Sequence, residues 1–357
     1  MSNQVRCSVG IAKPAFWVAR HFLSCSCLLL LLLPLPALAQ SGIWSRQRAG
    51  TMAWLHSLFF LDQNRGWAVG SRGTLLLTND GGKSWQIKTA STDVLRDIYF
   101  IDQQNGWLVC ERNAYDLRKV DEPRTYLMQT TDGGEHWKRI NLPRTDVDAA
   151  LVRAVFSRGG RGWTFGEAGS IFTTRDAGAS WTRLQSPTRH LLLGGIFIDE
   201  DRGWLVGAGS TIIQTSDGGE TWYVSRLQLP GENSVRFAAA SFVDNRSGWA
   251  VGSNGIVLRT SNGGRTWQRQ NSGVDNDLFD VKFVDALEGW AVGAQGTIIH
   301  TNDGGLNWTT ESSGTEHPLE RVFFADRTHG WAVGFGGTVV AYRSPEVPKT
   351  STIVLPR

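Results

Sequence analysis

The chain has 357 residues, of which 41% are hydrophobic and 19% charged, with four Cys and a formal net charge of +3. That hydrophobic share is too high for a disordered chain, and four Cys are too few for a disulfide scaffold of this length. A single long apolar run excludes a multi-span membrane protein, while forty-one Gly and sixteen Trp point to many tight turns between packed strands.

The first acidic residue is Asp62. Before it stand Arg6, Lys13 and Arg20, then an apolar stretch centred on Leu28 to Leu33, then Pro34, Pro36 and Ala37-Leu38-Ala39. This is the order of a basic region, a hydrophobic region and a small-residue cleavage site, so residues 1–39 read as a secretory signal removed before Gln40. The alternative is an uncleaved anchor. Cleavage removes three basic residues, leaving 33 residues of each sign, so overall charge gives no support for nucleic-acid binding. It also leaves Cys110 as the only thiol, without an internal disulfide.

From residue 40 onward the chain is repetitive. Gly-Trp occurs seven times, with Trp at 67, 107, 163, 204, 249, 290 and 331, at spacings of 40, 56, 41, 45, 41 and 41. An apolar strand ending in Phe precedes most copies, as in Leu58-Phe59-Phe60, and a short β-branched run follows, as in Thr297-Ile298-Ile299-His300-Thr301. A second motif follows that run six times, in the form Thr78-Asn79-Asp80-Gly81-Gly82-Lys83-Ser84-Trp85. It resembles the Asp-box, or bacterial neuraminidase repeat. The side-chain oxygens of Asp80, Asp132, Asp176, Asp217, Asn262 and Asp303 are expected to accept backbone N–H groups in a hairpin corner, a structural role. Ala177 replaces the first Gly once, whereas the second Gly is present in all six copies.

Three strands per repeat plus one opened by the Asp-box Trp predict an all-β, seven-bladed β-propeller of four-stranded antiparallel blades spanning residues 40–343, with a tail at 344–357. Seven Gly-Trp copies against six boxes leave the last repeat short of a strand. The segment Trp44-Ser45-Arg46-Gln47 matches Trp267-Gln268-Arg269-Gln270, so the N-terminal strand is expected to close the last blade.

Two places depart from the repeat on the face opposite the Asp-boxes. The 56-residue spacing inserts about fifteen residues between strands two and three of the second blade, from Glu111 to Arg124, with Arg112, Tyr115, Arg118, Lys119 and Arg124 as candidate partner contacts. Near the starts of the first strands lie His56, Arg96, Arg153, Arg236 and Arg321, which could hold an anionic peptide or carboxylate at the channel mouth. The competing reading of these Arg residues is pairing with neighbouring acids such as Asp97, Asp280 or Glu320.

Asp-boxes also occur in sialidases. The family resemblance would require an Arg triad, a Tyr–Glu nucleophile pair and an acid Asp. The Phe/Tyr-Arg-Ile-Pro motif of that family is absent and seven blades differ from its six. The six mature His residues show no metal-ligand spacing, and the Gly-Gly pairs open strands instead of helices, so neither a metal, a cofactor nor a phosphate loop is expected. The repeat more closely resembles the photosystem II stability and assembly factor family. Phe283-Val284-Asp285, Gly289-Trp290-Ala291-Val292-Gly293 and Thr301-Asn302-Asp303-Gly304-Gly305-Leu306-Asn307-Trp308 form one full instance. That resemblance implies a non-catalytic, monomeric scaffold in the periplasm or thylakoid lumen. It would be peripheral to the membrane and would bind an assembling membrane polypeptide, the photosystem II reaction centre in a phototroph. The rival expectation is a carbohydrate-binding or glycoside-hydrolysing propeller.

Overall fold

A computed structural model describes residues 42–112, 123–143, 148–157, 159–227 and 235–344. The expected signal at 1–39, most of the Glu111–Arg124 insertion and nearly all of the tail lie outside the described residues. Seven sheets of four antiparallel strands form a ring. The first blade contains Leu55–Phe60, Gly66–Gly70, Thr74–Thr78 and Gln86–Thr89. The first strand of every blade packs against the first strand of the next, so these seven strands line the central channel.

The last blade combines both ends of the chain. Leu319–Phe324, His329–Gly334 and Val339–Arg343 are completed by Ile43–Gln47. Gln47 pairs with Val339 as Gln270 pairs with Val257, and Trp44 pairs with Tyr342. The N-terminal strand therefore sits in the register of an ordinary fourth strand.

Three sequence signals converge on one packing unit. Phe60 ends the first strand of blade one, and its ring lies over Gly66, where a Cβ would sit 2.4 Å from the ring. Only glycine permits that approach. Phe60 also stacks on Trp331 of the preceding blade at 3.6 Å and meets its own Asp-box Trp85 edge-on at 6.1 Å. The same stack joins Trp67 to Phe100, Trp163 to Phe197, Trp204 to Phe242 and Trp249 to Phe283. The Gly-Trp tryptophan is thus a bolt between blades, and several of these indoles donate to a box carbonyl next door, as Trp249 Nε1 does to Gly304 O at 2.9 Å. Buried aromatic surface and offset stacking make each junction a large share of the cohesion. In the last blade Trp44 takes the box position, edge-on to Phe324 at 5.8 Å.

The boxes are closed hydrogen-bond knots. Asp80 Oδ1 accepts from Ser84 N and from Thr78 Oγ1, both at 2.9 Å, while Thr78 Oγ1 accepts from Gly82 N. Hydrogen bonds from Ser84 hold the Asp80 carboxyl down to about 2. Asn262 works equally well: its Oδ1 accepts from Thr266 N and its Nδ2 donates to Thr266 Oγ1. Ala177 adopts φ 52°, so the Cβ at that corner is accommodated in a left-handed conformation.

One ionic cluster braces the seam. His300 lies between two carboxylates, with Nε2 3.4 Å from Glu288 and Nδ1 3.2 Å from Glu311, and Glu311 also accepts from Trp44 Nε1 at 2.8 Å. Burial disfavours the imidazolium, but the two carboxylates outweigh it and raise His300 to about 9. The folded value exceeds the unfolded one, so this stabilisation is complete below about pH 6.5 and is lost as pH rises through about 9. His300→Gln is expected to flatten the fall in melting temperature between those limits; parallel pH profiles for the variant and the parent would refute the assignment.

Candidate partner-binding mouth

The channel is built in layers because strand residues alternate. The residue just before each terminal Phe forms the deeper ring, which includes Phe59, Tyr99, Lys282 and Phe323. Phe59 lies 4.9 Å from Tyr99 and 5.4 Å from Phe323. Two residues earlier comes a polar ring holding Ser57, Asp97, Arg153, Asp280 and Arg321. The register then shifts by a bulge in every first strand. The bulge takes His56, Arg96, Phe279 and Glu320 out of the ladder and sets them at the mouth.

The sequence-predicted basic residues therefore separate into three groups. Arg153 and Arg321 lie inside the channel and bridge it. Arg321 Nη2 donates to Asp97 Oδ1 at 2.7 Å, and Arg153 Nη1 approaches Asp280 Oδ1 at 3.5 Å. Burial, then repulsion from Arg321, lowers Arg153 to about 10, so it stays cationic at neutral pH. Both acids also accept from the neighbouring blade: Asp97 from Ala154 N and Asp280 from Val322 N. These pairs link blades two and seven and blades three and six.

At the mouth, Arg96 Nε donates to Glu111 Oε2 at 2.5 Å, while Arg124 clasps Glu111 Oε1 through Nη2 at 2.6 Å and reaches Glu167. Glu111 is buried, which opposes ionisation, but Arg96 and Arg124 outweigh this and hold its carboxyl low. The two arginine side chains remain more than one-third exposed, at 39% and 36%. Arg112 N donates to Arg124 O, so the insertion springs from a continued hairpin. Arg112 also lies 5.6 Å from the ring centre of Tyr126. Tyr115, Arg118 and Lys119 lie outside the described residues. His56 is lowered to about 4 by burial and then by Arg96, which makes it neutral at the mouth at ordinary pH. Arg236 stands apart: it is exposed in the link before its strand, at the position Trp54 holds in blade one, since Ser253 N bonds Arg236 O as Ser71 N bonds Trp54 O.

Several residues of this face were not singled out by sequence. Glu111 is the clasp of the mouth, and Trp54 Nε1 donates to Glu320 Oε1 at 3.1 Å. Trp54 carried a signal, being the one Trp after the expected cleavage site outside the repeat. Cys110 is fully buried, and burial pushes its thiol up to about 12. Among the described residues no cluster of His, Cys, Asp and Glu has the arrangement to hold a metal ion.

Ring, boxes and mouth together define a seven-bladed Asp-box propeller whose variable face carries a layered, charge-paired channel opening. The family described as photosynthesis system II assembly factor YCF48 matches residues 37–94, 86–191, 184–274 and 267–337, and the chain belongs to that family. A relative from Thermosynechococcus vestitus, named photosystem II assembly protein Ycf48, is 34% identical over 77 residues, covering 20% of this chain and 22% of that one. A Synechococcus relative named photosystem II assembly lipoprotein Ycf48 is 32% identical over 63 residues, or 18% and 19%. The matched stretch spans about a fifth of either relative's length. Among solved structures, YCF48 from Cyanidioschyzon merolae superposes with a TM-score of 0.69 at 19% identity, covering 84% of this chain and 99% of that one. A structure titled YCF48 bound to D1 peptide gives 0.69 at 20%, covering 85% and 97%. A xyloglucanase from Xanthomonas campestris gives 0.64 at 11%, covering 83% and 53%. At these identities the structures share the fold with this chain, hydrolase included.

Proposed function

We propose that this chain is a non-catalytic exported scaffold that binds a polypeptide of a membrane complex during assembly, at the mouth of its channel. The observation that carries the reading is the exposed pair of forked donors, Arg96 and Arg124, gathered on one buried carboxylate in a family of assembly factors. A peptide carboxylate can engage the outer faces of both guanidinium groups without desolvating a fresh cation, because Glu111 already holds them in place. Arg153 and Arg321 act in this reading as girders beneath the contact. A structural relative bound to a D1 peptide supports a protein partner of the reaction-centre kind. The Lipoprotein named among the relatives and the N-terminal sequence support an exported, membrane-peripheral location.

The test pairs capture with turnover. Wild-type protein immobilised on resin is expected to retain a membrane-complex polypeptide from detergent extracts of its source. The Arg96→Ala variant, which leaves the Arg124–Glu111 clasp intact, is expected to retain about three- to tenfold less, the scale of one lost charged contact. A fluorogenic-glycoside panel should show no turnover. Hydrolysis of any glycoside, or equal capture by the variant, would overturn the reading.

A further inference from the structure

A cleft of about 550 Å³ opens on the same face, across the ring from Arg124, between the mouths of blades five, six and seven and Trp54. Its apolar lining includes Ala238, Phe279 and Pro318. Trp54 stands at its edge, 40% exposed, within an aromatic ridge formed with Phe335 at 5.3 Å and His56 at 5.5 Å; Phe335 is itself 45% exposed. Large aromatics exposed side by side are uncommon on a surface that touches only water.

The charge of the cleft is opposite to that of the Arg96–Arg124 side. Among the described residues, Asp277, Glu316 and Glu320 line it against one cation, Arg236. Asp277 is fixed by accepting from Asn254 N at 2.8 Å, and Glu320 by accepting from Trp54 Nε1. Glu320 is half-buried and accepts from the neutral indole of Trp54, and burial raises its carboxyl despite Arg321 and Arg96 nearby. A cation entering the cleft would meet the indole face of Trp54 and this carboxylate together.

We infer that the cleft is a second docking subsite that takes a cationic side chain, Lys or Arg, flanked by apolar residues in an extended segment of a partner protein. The inference deepens the reading of this face as a partner surface and adds a polarity to it: carboxylate toward blades two and three, cation toward blades five to seven. Three carboxylates against one guanidinium choose a basic over an acidic occupant. The aromatic ridge and Phe279 choose a segment with apolar neighbours over a free metal or polyamine.

The probe is a fluorescein-labelled, C-terminally amidated decapeptide with one Arg between Leu residues, read by fluorescence anisotropy, with a Gln-for-Arg peptide as its control. Trp54→Ala and the near-isosteric Glu320→Gln are each expected to weaken the Arg peptide roughly tenfold. Arg236→Ala should tighten it a few-fold by removing the like charge. Because the amidated probe lacks a carboxyl terminus, failure of the mouth leaves this result standing, and the reverse holds too. Equal binding of the Arg and Gln peptides, or binding unaffected by Glu320→Gln, would overturn the subsite. Concentration-dependent dimerisation lost in Trp54→Ala would assign the cleft to a second copy instead and overturn it likewise.

Discussion

Trp44→Ala is expected to destabilise the ring by about 3–5 kcal/mol, the cost of removing a large buried aromatic. At this chain length that is a fall in melting temperature of about 10 °C. Trp44 is buried, lies edge-on to Phe324 and donates to Glu311, so the substitution opens a cavity and leaves an acceptor short of a donor at the one blade that two chain ends share. Deletion of residues 40–50 goes further. It removes the whole Ile43–Gln47 strand and exposes the edge of Val339–Arg343. A sharp loss of cooperativity is expected, along with a larger drop than the point variant gives. Differential scanning calorimetry checks both, and an unchanged melt after the deletion would dismiss closure as a source of stability.

Arg321→Ala should be the most damaging change inside the channel, at about 3 kcal/mol by urea unfolding. It strips a charged partner from Asp97, which is 6% exposed and would keep only Ser57 Oγ and Ala154 N as donors. Arg321→Met combined with Asp97→Asn should recover most of the loss, since the uncompensated buried charge is gone. If the single variant unfolds like the parent, the bridge across the channel carries no stability. The result bears on function too: loss of partner capture in Arg321→Ala, or in a variant of Arg96, which pairs with buried Glu111, cannot be assigned to contact until its folding has been measured, whereas exposed Arg236 is free of that ambiguity.

The ring was legible because its signals are periodic and redundant. Phe, Gly-Trp and the box Trp recur in each blade since all three meet at one aromatic junction, and Trp44 could be placed because strand register tolerates no slip. The site was less legible. Arg96 and Arg153 look equivalent along the chain, one residue apart relative to their terminal Phe. The bulge that puts one at the mouth and the other inside the channel leaves no mark in the residue types. Asp97 and Asp280 do pair with Arg residues of the channel, but with ones 224 and 127 positions away that only a closed ring brings together, so which acid meets which Arg cannot be read along the chain. His56 reads as basic in sequence and is neutral in place, because burial depends on packing. In the boxes, the residue before Trp changes type from copy to copy, which hides its shared role. It is Ser84, His136, Ser180, Thr221, Thr266 or Asn307, in each case a side chain that bonds the box Asp or Asn.

The shared last blade also has a consequence in time. Gly42 and Tyr342 meet across 300 positions of sequence, so the strand Ile43–Gln47 has its partner only once Val339–Arg343 has been made. Until then six blades can stack along the growing chain, but Trp331 has no Phe60 to lie on and the circle cannot lock. A chain interrupted before residue 339 leaves the strand Ile43–Gln47 without its partner and the ring with an open edge. The seam thus makes completion of the last blade a condition for the stable state.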